Sequence, residues 1–143
     1  MRDEITPLLL QWYGLNKRDL PWRHTTDPYK IWLSEIILQQ TRVNQGLAYY
    51  QRFVSQYPDI FQLASASADE VYKLWQGLGY YNRANNMIKC AQIVAKEQHG
   101  IFPEKFSELK KLPGIGDYTA AAIASLAFKQ VHPVVDGNVF RVL

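Results

Sequence analysis

The run Leu112-Pro113-Gly114-Ile115-Gly116-Asp117-Tyr118, followed by Thr119-Ala120-Ala121-Ala122, constrains this chain more than any other stretch. A helix ending at Leu112 must turn at Pro113, whose ring fixes φ and which lacks an N–H. Gly114 and Gly116 can enter the φ > 0 region and leave their amides uncovered. A second helix then opens at Asp117, where a capping side chain belongs. Such a junction offers several N–H donors at the positive end of a helix dipole, which suits a phosphate. The hairpin therefore predicts helices on both sides and a grip on a nucleic-acid backbone.

The remaining bounds are looser. At 143 residues the chain is one domain or part of one, long enough to bury a core. A formal charge of +3 and a pI near 9.0 fit a nucleic-acid partner without requiring one. The single cysteine, Cys90, excludes a disulfide framework and any cysteine-based metal cluster built from these residues alone. The N-terminal segment carries Asp3 and Glu4, and its apolar run is only Leu8-Leu9-Leu10, so neither a secretory signal nor a membrane span is expected. A cytoplasmic, reducing compartment follows as the expectation. The chain stops at Phe140-Arg141-Val142-Leu143, inside an apolar helical pattern without a stop signal, and reads as a fragment of a longer protein.

Periodicity predicts an all-α fold, a compact bundle of short helices. They are expected near 3–14, 28–40, 43–56, 68–76, 81–98, 104–111, 117–128 and 137–143. The breaks carry turn or cap residues: Pro21, Asp27-Pro28, Tyr57-Pro58-Asp59, Gly77 and Gly79, Gly100, Pro103, Pro113 and Pro133. Trp12, Trp32, Trp75, Phe53, Phe61 and Phe106 are expected in the core, and the Ala120 to Ala124 run is expected to let helices approach closely. His24, His99 and His132 show no metal-ligand spacing.

From Ile31 to Leu38 the apolar side chains point nearly all round a helix, so that helix should be buried. Glu35 lies among them. A desolvated carboxyl holds its proton toward neutral pH and can serve as an acid. The alternative, equally weighted by the residues alone, is a structural Glu satisfied by an arginine or a helix end. Asp136, in Val134-Val135-Asp136-Gly137-Asn138-Val139, reads locally as a helix N-cap. A dry acid and a separate anion are also what cleavage of a glycosidic bond needs. Gly77-Leu78-Gly79-Tyr80-Tyr81 reads as a helix-to-helix turn, or as a wedge for unstacking bases.

Taken in order, Leu20-Pro21-Trp22-Arg23, Trp32-Leu33-Ser34-Glu35, Leu38-Gln39-Gln40-Thr41, Gly77-Leu78-Gly79-Tyr80-Tyr81, Leu112-Pro113-Gly114-Ile115-Gly116 and Asp136-Gly137-Asn138-Val139 resemble the MutY family. That family consists of adenine DNA glycosylases of the helix-hairpin-helix superfamily, acting on adenine opposite 8-oxoguanine or guanine. The resemblance runs from about Trp12 to the last residue. It implies that 1–143 is the N-terminal part of a catalytic domain. Residues near 15–135 would form a six-helix module with the hairpin at 112–118, and 1–14 and 137–143 would belong to a second helical subdomain.

The same resemblance implies roles. Glu35 matches the general acid, Asp136 the anion that stabilises the cationic sugar, and Asn138 and Tyr118 residues that support the catalytic groups. Arg18, Leu20, Trp22, Arg23, Leu38 and Val43 match positions lining the adenine pocket. Gln40 and Tyr80 match residues that probe the DNA helix, with Thr41 and Leu78 beside the 8-oxoguanine. Gly114, Ile115 and Gly116 match the backbone grip. No side-chain metal site is implied, although the carbonyls of Lys110, Leu112 and Ile115 could hold a monovalent cation. A 4Fe-4S iron–sulfur cluster and an 8-oxoguanine-recognition domain are expected beyond Leu143. The implied partner is double-stranded DNA, bound by a monomer without membrane association, in the cytoplasm at the nucleoid.

Position 118 bears on the reaction type. Relatives that also cut the backbone carry a lysine there, and Tyr118 has no amine for a Schiff base. The expectation is a monofunctional glycosylase. Two other classes stay in view: an endonuclease III-like pyrimidine-lesion glycosylase with lyase activity, and a non-catalytic helix-hairpin-helix DNA-binding module.

Overall fold

The computed structural model describes residues 20–130. The expected helices at 3–14 and 137–143 lie outside that range. So do Trp12, Arg18, Asp136 and Asn138.

A 3-10 turn, Pro21–Arg23, precedes seven helices: α1 Pro28–Leu38, α2 Val43–Gln56, α3 Ile60–Ser65, α4 Ala68–Trp75, α5 Asn82–Glu97, α6 Phe106–Leu109 and α7 Asp117–Phe128. The described residues contain no strand. Local chemistry sets several starts. Asp27 caps α1 by accepting from the Tyr29 amide at 3.0 Å, and Pro28 fills the first position, where no N–H is needed. Ser67 caps α4 through the Glu70 amide at 3.2 Å.

The short helix α3 was not expected from periodicity. Asp59, read as part of a break, is its N-cap and accepts from the Gln62 amide at 2.9 Å. Phe61 on that helix is 52% exposed and not a core residue. It covers Gly100, where an added Cβ would collide with the Phe61 ring.

Helix α1 is the central member, with Ile31, Trp32, Leu33, Ile36 and Ile37 all buried. It packs on α2 and on α7, and α3 packs on α5. At Gly46 a Cβ would stand 2.6 Å from a Leu38 methyl, so glycine lets α2 lie close against α1. Ala120 and Ala124 on α7 are wholly buried. One continuous core, including Trp32, Phe53, Trp75, Met87, Leu109 and Ile123, joins these elements. No described helix is long and apolar enough to cross a membrane.

Candidate functional site

Glu35 sits on a face of α1 that the other described helices leave uncovered. A cleft of about 550 Å³ opens there, walled by Trp22, Arg23, Thr25, Thr26, Glu35, Leu38, Gln39, Tyr118 and Leu126. That size falls among sites that take small organic groups, roughly 300–1,000 Å³. The Trp22 wall is held by α2, where its ring meets Tyr50 edge-on at 5.1 Å between centroids. Thr25 is fixed by accepting from the Asp27 amide at 3.0 Å. Tyr118, 51% exposed, enters from the first turn of α7.

Burial alone pushes the Glu35 carboxyl up, from an ordinary 4.5 to about 7. Among the described residues no arginine or lysine forms an ion pair with it. At that value a substantial fraction of the group is still protonated at neutral pH, and it faces an open cleft. It is placed to donate to whatever occupies that space.

The hairpin differs from its simplest reading. Gly114 adopts φ +78° and lies against α5, where a Cβ would come within 2.8 Å of the Asn86 Cβ. Gly116 instead has φ −91° and an extended backbone, and a Cβ there would meet nothing within 4 Å. Gly116, not Asp117, occupies the N-cap of α7. Asp117 is the first helical residue, and its carboxylate pairs with Lys110 across the hairpin at 2.6 Å. Ile115 is buried and its amide donates to the Leu112 carbonyl at 3.2 Å, so that N–H is committed internally. The first-turn amides of α7 are what the hairpin presents outward.

A second cleft of about 640 Å³ lies beside the first, walled by Gln39, Gln40, Tyr80, Tyr81, Asn82 and Arg83. Gln39 borders both clefts. The structure thus gathers Trp22, Arg23, Glu35, Leu38 and Tyr118 at one cleft, and Gln40 and Tyr80 at its neighbour. Leu20 is buried, Val43 is half-buried at the start of α2, and neither is among the walls. Thr41 and the buried Leu78 are not among the walls of the second cleft, but each accepts a hydrogen bond from Arg83, which is. Gln39, Thr25, Thr26, Leu126 and Arg83 were not singled out from the sequence. Gln39 alone carried a signal there, as the neighbour of Gln40.

Comparison with known proteins adds a lineage. Residues 33–143 match the HhH-GPD superfamily base excision DNA repair protein family. The adenine DNA glycosylase of Buchnera aphidicola subsp. Acyrthosiphon pisum is 48% identical over 140 residues, covering 97% of this chain and 40% of that protein. The adenine DNA glycosylase of Mus musculus is 48% identical over 144 residues, covering 94% of this chain and 28% of that protein. The chain therefore spans less than half the length of the curated relatives it matches. Among solved structures, a thermostable thymine-DNA glycosylase superposes with a TM-score of 0.91 at 32% identity, covering 99% of this chain and 65% of that one. A non-covalent endonuclease III–DNA complex superposes with a TM-score of 0.81 at 22% identity, covering 99% of this chain and 67% of that one; this likeness bears on the fold alone.

Proposed function

This chain belongs to the HhH-GPD superfamily of base excision DNA repair proteins, and from that premise we propose that it carries the catalytic module of a monofunctional adenine DNA glycosylase. The observation that carries the proposal is Glu35, desolvated and unpaired by any described cation, facing a cleft of base-accepting size. The names of the relatives at 48% identity favour adenine as the base. Double-stranded DNA with adenine opposite 8-oxoguanine or guanine is the partner, bound by a monomer at the nucleoid.

In this reading the adenine swings out of the duplex, at a cost of a few kcal/mol, and enters the cleft beside Trp22 and Leu38. Glu35 gives its proton to a ring nitrogen of the base. The bond between the sugar C1′ and adenine N9 breaks, and its electron pair leaves with the base. The positive charge that develops on the sugar is faced by Asp136, with Asn138 in support and Arg18 at the pocket. The Glu35 carboxylate then takes a proton from water as its oxygen adds to C1′. Tyr118 provides no amine, so no Schiff base forms from this position and the backbone stays uncut.

Contact with the DNA backbone is assigned to Gly114, Ile115, Gly116 and the α7 amides, and contact with the lesion to Gln40, Thr41, Leu78 and Tyr80. A monovalent cation at the carbonyls of Lys110, Leu112 and Ile115 would reinforce that grip, although the Leu112 carbonyl also accepts from the Ile115 amide.

An iron–sulfur cluster is a different matter. Cys90 is buried with its thiol pushed up to about 12. No group of three or more His, Cys, Asp or Glu among the described residues could hold a metal. These residues do not fit a four-cysteine cluster, and we assign a 4Fe-4S cluster to the length of the relatives that this chain does not span.

The test is a substrate panel with the full-length protein. Free adenine from duplexes carrying adenine opposite 8-oxoguanine, without strand cleavage or borohydride trapping, is the expected result. Release of an oxidised pyrimidine with trapping would select the endonuclease III-like class instead. Binding without release of any base would select the non-catalytic module.

A further inference from the structure

The structure assigns Arg83 the role of a positioning residue: a single guanidinium that holds Gln40 and Tyr80 in left-handed backbone conformations at the second cleft. Gln40 has φ +54° and Tyr80 has φ +49°. Non-glycine residues seldom adopt this region, and those that do are held there by their surroundings, often at functional sites. Both are exposed, Tyr80 to 67%, so burial of their side chains does not hold them.

Arg83 reaches the backbone on both sides. Its Nη1 donates to the Gln39 carbonyl and, at 3.4 Å, to Thr41 Oγ1, the two residues that flank Gln40. The same nitrogen shares its two hydrogens between those acceptors and the Ile36 and Ile37 carbonyls, which lie at 3.1 and 3.2 Å. These belong to the last turn of α1, whose carbonyls lack partners within the helix. Nη2 donates to the Leu78 carbonyl at 3.3 Å, two residues before Tyr80. The guanidinium lies over the Trp75 ring at 4.9 Å and within 5.9 Å of the Tyr80 ring. The Trp75 indole N–H also pins the Gly79 carbonyl at 2.9 Å, which fixes the loop from the other side.

The consequence is mechanical. Arg83 stands at the start of α5 but closes the C-terminal end of α1, the helix that carries Glu35 one turn earlier. Anything that pushes on Gln40 or Tyr80 pushes on the cation that terminates the Glu35 helix. Resting on the glycosylase reading, the clamp serves base extrusion: it presents both side chains to the duplex and steadies them while the adenine leaves the stack.

The experiment uses the full-length protein carrying Arg83→Lys, which keeps the charge and loses the planar fork. Without DNA, amide hydrogen exchange at residues 39–41 and 78–80 should accelerate about tenfold or more while α3 is unchanged. Acceleration throughout the domain, or none at these two segments, overturns the clamp. With DNA, single-turnover adenine release from a duplex with adenine opposite 8-oxoguanine should fall about tenfold, but by less than about twofold when the adenine lies in a single-stranded bulge, where neither pairing nor duplex stacking has to be broken. Equal losses on both duplexes, or no loss on either, overturn its link to extrusion. Wild-type protein releasing adenine from neither duplex counts against the glycosylase itself, and the exchange measurement still decides the clamp.

Discussion

The side-chain amide of Gln39 donates to the hydroxyl of Thr119 at 3.3 Å, tying the end of α1 to the first turns of α7. Gln39 forms the wall shared by both clefts, and Thr119 follows Tyr118 directly. The bond therefore fixes the spacing between the helix of the acid and the helix that closes its cleft.

Because the Thr119 hydroxyl is buried, Gln39→Leu should destabilise the protein by about 1–3 kcal/mol, the cost of leaving a buried polar group without its partner. Thr119→Val should cost less, since the Gln39 amide can reach water. Denaturant melts of the two single variants and the double variant should give a coupling of about 0.5–1.5 kcal/mol. Strict additivity would show that the bond contributes nothing.

The raised Glu35 carboxyl has a stability signature with a definite sign. Its folded value, about 7, exceeds its ordinary 4.5, so between these limits the folded state binds more protons than the unfolded state. Stability from this group is full below pH 4.5 and lost as pH rises through 7. Above that the charged group costs the fold on the order of 3 kcal/mol. Glu35→Gln removes the effect, so the variant should be the more stable of the two at pH 8 and should lose that advantage by pH 4.5. Melting curves of both proteins across this range would show it, and a difference independent of pH would mean Glu35 is not desolvated.

The two hairpin glycines should part company. Gly114→Ala meets both a left-handed φ and the Asn86 side chain, and should cost about 1–3 kcal/mol. Gly116→Ala meets neither and should cost less than about 1 kcal/mol, as for a helix cap. Its methyl would stand on the outward face, at the proposed phosphate contact with the α7 amides, and duplex binding should weaken roughly tenfold. Thermal melts together with salt-controlled binding titrations separate the two effects. Unchanged binding by Gly116→Ala would move the backbone grip elsewhere.

What the sequence disclosed follows from the range of the forces involved. The burial of α1 could be read because apolar residues surround its axis, and the turn at 113–116 because proline and glycine act locally. Helix α3 was missed because six residues carry no usable period. Asp117 was misread as a cap because its partner, Lys110, is set by the hairpin and not by neighbouring sequence. The role of Arg83 had no sequence signature at all: its acceptors at and just beyond the end of α1 are backbone carbonyls, 44 to 47 positions away, and any residue type offers one.

The most direct measurement is single-turnover release of adenine by the full-length protein, wild type against Glu35→Gln, followed from pH 5 to 9 on a duplex with adenine opposite 8-oxoguanine. Wild-type release should be strongest below about pH 7, decline by about tenfold per unit above it, and vanish in the variant. Equal release by the two proteins, or a wild-type profile flat through neutrality, would remove Glu35 as the acid.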